Sequence, residues 1–405
     1  MMKSLGTWFY AGLTITLIAA SPAMAAADVT ALHAAALPLD AHVDIPDDFN
    51  PARADRSGQG QFDLAQAATG GLRGAVLAIF APQEAETTAT LGQARAIADR
   101  KYAAIAGIAK AFPAQADIAL TPADYGRITA AGKFAIVEAI VNGGAFVAGP
   151  EDIDPWVARG VRVFGFVHAG HNRLADSSRP ALVRGEGATR NGGLSDAGKA
   201  VLARLNALGV LVDVSQLSDA AFADVLLLST APVIASHSDL RALVDNSRNL
   251  TDAQLDQLKA KGGVIAINAF SAYLRPRDPA FAAKIAALQG EYGLTGDAKP
   301  VLPPEKAAEY DRRYHALRAT EPRANVKDLV NAVDYAVKRV GIDHVALSSD
   351  FNHGGGIDGW QDEGQARAVT KELAQHGYDE AAIAKLWSSN FLRVWGEAQA
   401  IATRH

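Results

Sequence analysis

The sequence predicts an α/β fold, specifically a (β/α)8 or TIM barrel. Three observations carry this. Eight short apolar runs recur along the chain; helices with readable ends lie between them; and the glycine-rich phosphate turn of an open doubly wound sheet is absent, with no GxGxxG and no Walker pattern. The runs are 37–44, 72–82, 133–144, 161–170, 210–216, 231–238, 262–270 and 344–352. They are rich in Val, Ile, Ala and Phe, as strands buried on both faces should be.

The helices announce their ends. Ser195 is placed to cap a helix carrying Val201, Leu202, Leu205 and Leu208, which Gly209 stops. Thr251 and Gln254 form a capping-box pattern, and Gly262 follows as the C-terminal stop. Asn325 caps a helix with Leu329, Val330, Val333 and Val337 on one face, closed by Gly341. Residues 271–324, rich in charge and proline, do not fit one βα unit. They are expected to form an insertion after the seventh strand, on the loop face, with helices over 279–289 and 304–318.

Length and composition narrow the function. The chain has 405 residues, 49% hydrophobic and 20% charged, with a net charge of −5. That is enough apolar material for a large core, and it gives no reason to expect a nucleic-acid partner. There is no cysteine, so any metal site must use His, carboxylate or amide ligands. Residues 1–25 read as a bacterial secretory signal peptide. Lys3 gives the positive start, residues 5–20 are largely apolar, and Ala23-Met24-Ala25 fits a cleavage site. The expectation is a mature chain of 26–405 forming a single barrel, periplasmic or secreted, with no stable membrane anchor. Residues 26–36 are expected to be a loose leader.

Barrel active sites sit at the C-terminal ends of the strands. The first run delivers His42 and Asp44, two apart and so on one side of a strand. The third ends on Val141-Asn142-Gly143, the fourth on His168, the fifth on Gln216, the sixth on His237 and the eighth on Asp350. A single histidine or aspartate at a strand end is ordinarily a hydrogen-bonded structural group. Four strands carrying His or Asp at the same end point to a metal or catalytic centre.

The stretches DAHVDIP, GHNRLADSS, GGLSDAGKAVLARLNALGVLVDVSQLSD, APVIASHSDLRALVDNSRNLTD and HVALSSDF resemble the membrane (renal-type) dipeptidases, peptidase family M19, of the amidohydrolase superfamily. The resemblance runs from about Asp40 to Trp395. It implies a metal-dependent hydrolase barrel that cleaves dipeptides at a two-zinc centre, and a homodimer. By resemblance, His42 and Asp44 are the first zinc-binding arm and Asp350 ligates zinc and handles the proton. His237 ligates the second zinc, His168 contacts the substrate and polarises its carbonyl, and Arg248 grips the substrate carboxylate.

Two family ligands are missing. The bridging glutamate falls on Val141, or on Asn142 if the gap moves, and Glu138 nearby should face the other side of its strand. The histidine of the DVSH motif is Gln216. The expectation is therefore one Zn²⁺ per chain at most, held by His42, Asp44 and Asp350, with His171 and His353 close enough in sequence to substitute for the lost ligands. Three readings follow. The first is a hydrolase of dipeptide-like amides with an altered one-metal site. The second is a periplasmic pseudo-peptidase that binds a peptide or peptide-derived metabolite without cleaving it. The third is a hydrolase of a lactone or N-acyl amino acid.

Overall fold

A computed structural model describes residues 26–181, 185–294 and 302–402. The expected signal peptide at 1–25 lies outside these residues. Nine strands form one parallel sheet: β1 (Leu39–Val43), β2 (Gly74–Phe80), β3 (Ala116–Ile118), β4 (Phe134–Val141), β5 (Val161–Gly165), β6 (Leu211–Asp213), β7 (Ile234–Ser238), β8 (Val264–Asn268) and β9 (Val345–Ser348). Eight follow one another in the order β1-β2-β4-β5-β6-β7-β8-β9. The barrel closes between the first and last through Asp350 N to His42 O and Asp44 N to Phe351 O, both 3.0 Å.

The eight apolar runs thus become the eight barrel strands. The ninth, β3, is a correction to the expected count. It has three residues and pairs with Phe134–Ile136 at the start of β4, while β5 pairs with β4 further along, from Glu138. So short a strand has too few residues to show an alternation.

Every barrel strand contributes at least one residue to an apolar cluster, among them Leu39, Val76, Val137, Val163, Leu211, Ile234, Val264 and Ala346. Phe391, Val394 and Trp395 of the last helix (Asn390–Ala402) join it. The larger core packs the other strand faces against the surrounding helices. Val137 and Ala139 face the first cluster, so Glu138 between them faces outward.

The anticipated helices form over Asp196–Ala207, Asp252–Ala260 and Val326–Val340, capped by Ser195, Thr251 and Asn325. The Thr251–Gln254 capping box forms, and Gly209 adopts a φ of 68°. Between β8 and β9 lie helices Pro279–Glu291 and Pro304–Arg318. The expected loose leader is a helix instead, Ala26–Ala35. His33 anchors it, buried edge-on against Trp387 with Nδ1 2.6 Å from Thr370 Oγ1. No helix among the described residues is long and apolar enough to cross a membrane.

Candidate metal centre

The strand C-termini open into a cavity of about 740 Å³. His42, Asp44, Val141, His168, Gln216, His237, Arg248 and Asp350 all line it. Only His42, Val141 and His237 belong to strands; Asp44, His168, Gln216 and Asp350 lie just beyond the ladders, and Arg248 lies in the loop after β7. That placement frees the backbone. Among the described residues, five non-glycine residues have φ clearly above zero, and four of them stand at this rim: Asn142 (58°), Gln216 (71°), Asp350 (56°) and Asn352 (62°). Such conformations cost of order 1–3 kcal/mol each and cluster where side chains must be aimed. Register shifts in β1 between Asp40 and Val43, and in β7 between Ala235 and Ser238, fall on the segments carrying His42 and His237.

His42, Asp44 and Asp350 each offer a ligand atom, all within 4.8 Å of one another and all buried. His42 Nε2 stands 3.5 Å from Asp44 Oδ2 and 4.0 Å from Asp350 Oδ1. Asn268 Nδ2 donates to Asp350 Oδ2 at 3.3 Å. His353 adds its Nδ1 3.7 Å from Asp44 Oδ2. One imidazole and two carboxylates is a donor set that fits one zinc ion with an open position.

The other side of His42 is built differently. His237 stacks on it with ring centroids 3.8 Å apart. Arg179 Nη2 donates to Gln216 Oε1 at 2.6 Å, and Gln216 Nε2 lies 2.9 Å from His237 Nε2. His237 Nδ1 lies 2.7 Å from Ser236 Oγ, which donates to Asp213 Oδ2 at 2.6 Å. Partner chemistry fixes every proton in this chain. Arginine only donates, so Gln216 turns its oxygen to Arg179 and its N–H to His237. His237 Nε2 is then the lone-pair nitrogen and Nδ1 carries the proton. His42, Asp213 and His237 also lie within 4.8 Å of one another. Yet Asp213 is engaged by Ser236 and by the backbone N–H groups of Ser215 and Ser236. The His237 lone pair is occupied by an amide that a guanidinium holds in place. On this side the polar groups are thus paired with one another within the chain.

Electrostatics follows the same division. Burial holds His168 and His237 well below the usual histidine range. Arg179 and His353 add to this at His168, and His42 and Arg248 at His237. Burial also opposes charge on His42, but Asp44 and then Asp350 outweigh it and the pKa rises. Arg248 is 2% exposed; Nη2 donates to His237 O at 2.8 Å, and its Cζ lies 5.2 Å from the Tyr273 ring centroid. Its Nε and Nη1 have no partner among the described residues.

Val141, expected from the sequence to stand in place of a bridging glutamate, lines the cavity. Asn142 turns away, donating to Ala81 O at 2.9 Å and accepting from Asn172 Nδ2 at 3.2 Å. Glu138 faces Gly160 outside the barrel, and burial raises its carboxyl to about 7. Of the two candidate substitutes, His353 reaches the centre. His171 does not: Nδ1 accepts from Ser177 N and Nε2 contacts Gly187 O, so it braces a loop. Sequence reasoning missed Arg179, Ser236 and Asp213. It also missed Tyr273 and the cavity residues from the segment after β8: Arg277, Tyr314, His315, Arg318, Glu321 and Arg323.

The sequence model of a family described as membrane dipeptidase (peptidase family M19) matches residues 26–405. The crystal structure of the probable dipeptidase PvdM from Pseudomonas aeruginosa is 42% identical. It superposes with a TM-score of 0.89 and covers 93% of this chain and 100% of that one. Dipeptidase aclJ of Aspergillus oryzae is 29% identical over 244 residues, 60% of this chain. The match spans 46% of that relative, so the chain covers about half the length of the curated relatives it matches. A metallo peptidase from Rhodobacter sphaeroides, liganded with a phosphinate mimic of L-Ala-D-Ala, shares the fold at 22% identity and a TM-score of 0.68.

Proposed function

Because the chain belongs to the membrane dipeptidase family, peptidase family M19, we propose that its cavity hydrolyses a dipeptide-like amide with one metal ion rather than two. The observation that carries this is the buried trio His42, Asp44 and Asp350, set beside a His237 whose lone pair is already taken.

Zinc bound by these three residues supplies Lewis acidity and lowers the pKa of water. The chain does the rest. Arg248, buried with two unpartnered nitrogens, binds the substrate carboxylate through its fork. This sets the adjoining amide over the trio. Asp350 takes a proton from the attacking water and returns it to the leaving amine. His168 lies 3.3 Å by Nε2 from Arg179 Nη2, so its own proton sits on Nδ1. The two stand on the cavity wall as donors to the carbonyl oxygen as charge develops. A lactone or N-acyl amino acid would use the same groups, and Arg248 favours substrates with a free carboxylate.

The test is elemental analysis of the purified protein with a dipeptide hydrolysis panel. About one zinc per chain and cleavage of free-carboxylate dipeptides are expected. A metal-free protein, inactive across the panel with zinc added, overturns the reading. It would leave the second one, a pocket that binds a peptide without cleaving it, which the occupied His237 lone pair favours. We place the mature protein in the periplasm; a mature N-terminus at Ala26 is the expected sequencing result.

A further inference from the structure

We infer that the substrate is a peptide derivative longer than a dipeptide, carrying a second acidic group that docks on Arg318 and Arg323. This rests on the hydrolase site proposed above and concerns the cavity's outer part. The first observation is size. A sphere of 740 Å³ would be about 11 Å across, whereas two extended residues span about 7 Å. A dipeptide whose carboxylate sits on Arg248 leaves roughly the outer third of this space unfilled.

The second observation is charge. Beyond the floor trio, the cavity is lined by five arginines (Arg179, Arg248, Arg277, Arg318 and Arg323) and one acid, Glu321. Arg277 Nε meets Glu321 Oε1 at 2.6 Å, and Arg318 Nε meets Glu321 Oε2 at 2.8 Å. One carboxylate therefore spaces two guanidiniums and leaves one positive charge over. The side chain of Glu321 is only 10% exposed, so this clamp is held in place rather than waving in solvent. The last carbonyls of helix Pro304–Arg318 offset part of the Arg318 charge. Arg323, five residues past the helix end, has no such offset and no carboxylate partner among the described residues. The outer wall thus carries about two uncompensated positive charges, in a fork geometry suited to a carboxylate. The inner carboxylate, held on Arg248, is already committed.

Calorimetric titration of the full mature chain with Glu-Ala-Ala and Gln-Ala-Ala tests this, with product formation followed in parallel. The peptides match in size and differ in one charge. Glu-Ala-Ala is expected to bind at least about tenfold more tightly at low salt, with the difference shrinking as salt rises. Arg318→Gln with Arg323→Gln should erase the difference. Arg323→Gln alone, which breaks no ion pair, should reduce it. Equal affinity, or no binding of either peptide, overturns the inference. Equal cleavage of both overturns it and leaves the hydrolase reading standing. Preferred binding of Glu-Ala-Ala without cleavage supports it and overturns the hydrolase reading.

Discussion

The two sides of His42 solve the same problem in opposite ways. On one side, Asp44 and Asp350 crowd within ligand distance of one another, two buried anions that call for a cation. On the other, Arg179 brings a permanent cation. Gln216, His237 and Ser236 pass hydrogen bonds from it to Asp213. The first side sets its carboxylates around His42, whereas the second pairs its groups with one another within the chain. A buried polar group is costly only while unpaired, and on this side Arg179, held by Gln216, supplies the positive charge from within the chain.

This contrast can be broken at several points. The largest effect belongs to Asp350→Asn, expected to abolish both zinc retention and turnover, read by elemental analysis and a dipeptide assay. Ser236→Ala comes next. It removes the group that orients His237 and touches His42 Nδ1 at 3.3 Å. A loss of roughly 10–100-fold in activity or zinc affinity is expected, as for other residues that orient ligands. Unchanged values would detach the second side from the first. Val141→Glu combined with Gln216→His should raise zinc from about one to two per chain. Adding Arg179→Met should strengthen the second ion's binding, since the competing cation is gone.

The smallest effect on the centre is that of Glu138→Gln: zinc content should not move, because this carboxyl faces outward. Stability should move instead. With its folded pKa near 7 and an ordinary value of 4.5, Glu138 keeps its proton in the folded chain while the unfolded chain releases it. Stability therefore falls as pH rises from about 4.5 to about 7, by on the order of 3 kcal/mol, and stays lowered above that. Urea melts at pH 5 and pH 8 should show the variant losing most of this dependence.

What could be read from the sequence followed rules that act locally. His42, Asp44, His237 and Asp350 were found because a parallel strand must deliver its last residues to the barrel rim. The caps at Ser195, Thr251 and Asn325 follow from backbone groups within one turn. Arg179 could not be found this way. It reaches Gln216, 37 positions on, because Ser177 bridges Leu217 and Ser178 N donates to Gln216 O. No spacing rule encodes such a loop contact. The helix Ala26–Ala35 was hidden by its own composition: alanine gives no apolar stripe, and its anchor His33 meets Thr370 and Trp387, more than 330 positions away. The sequence placed the segment after β8 on the loop face but could not say which of its arginines line the cavity, because that depends on how its helices pack.

The barrel's closing hydrogen bonds run through the residues that would hold the ion. Asp350 N donates to His42 O, so the backbone seam between the first and last strands and the side-chain donors above it are one structure. These residues are 308 positions apart in sequence. A cation shared by them would fasten the two ends of the sheet across nearly the whole chain, a cross-link whose entropic leverage grows with the loop it closes. In that sense the centre is a latch for the barrel as well as a reagent, and a chelator would be expected to loosen the fold from its seam outward.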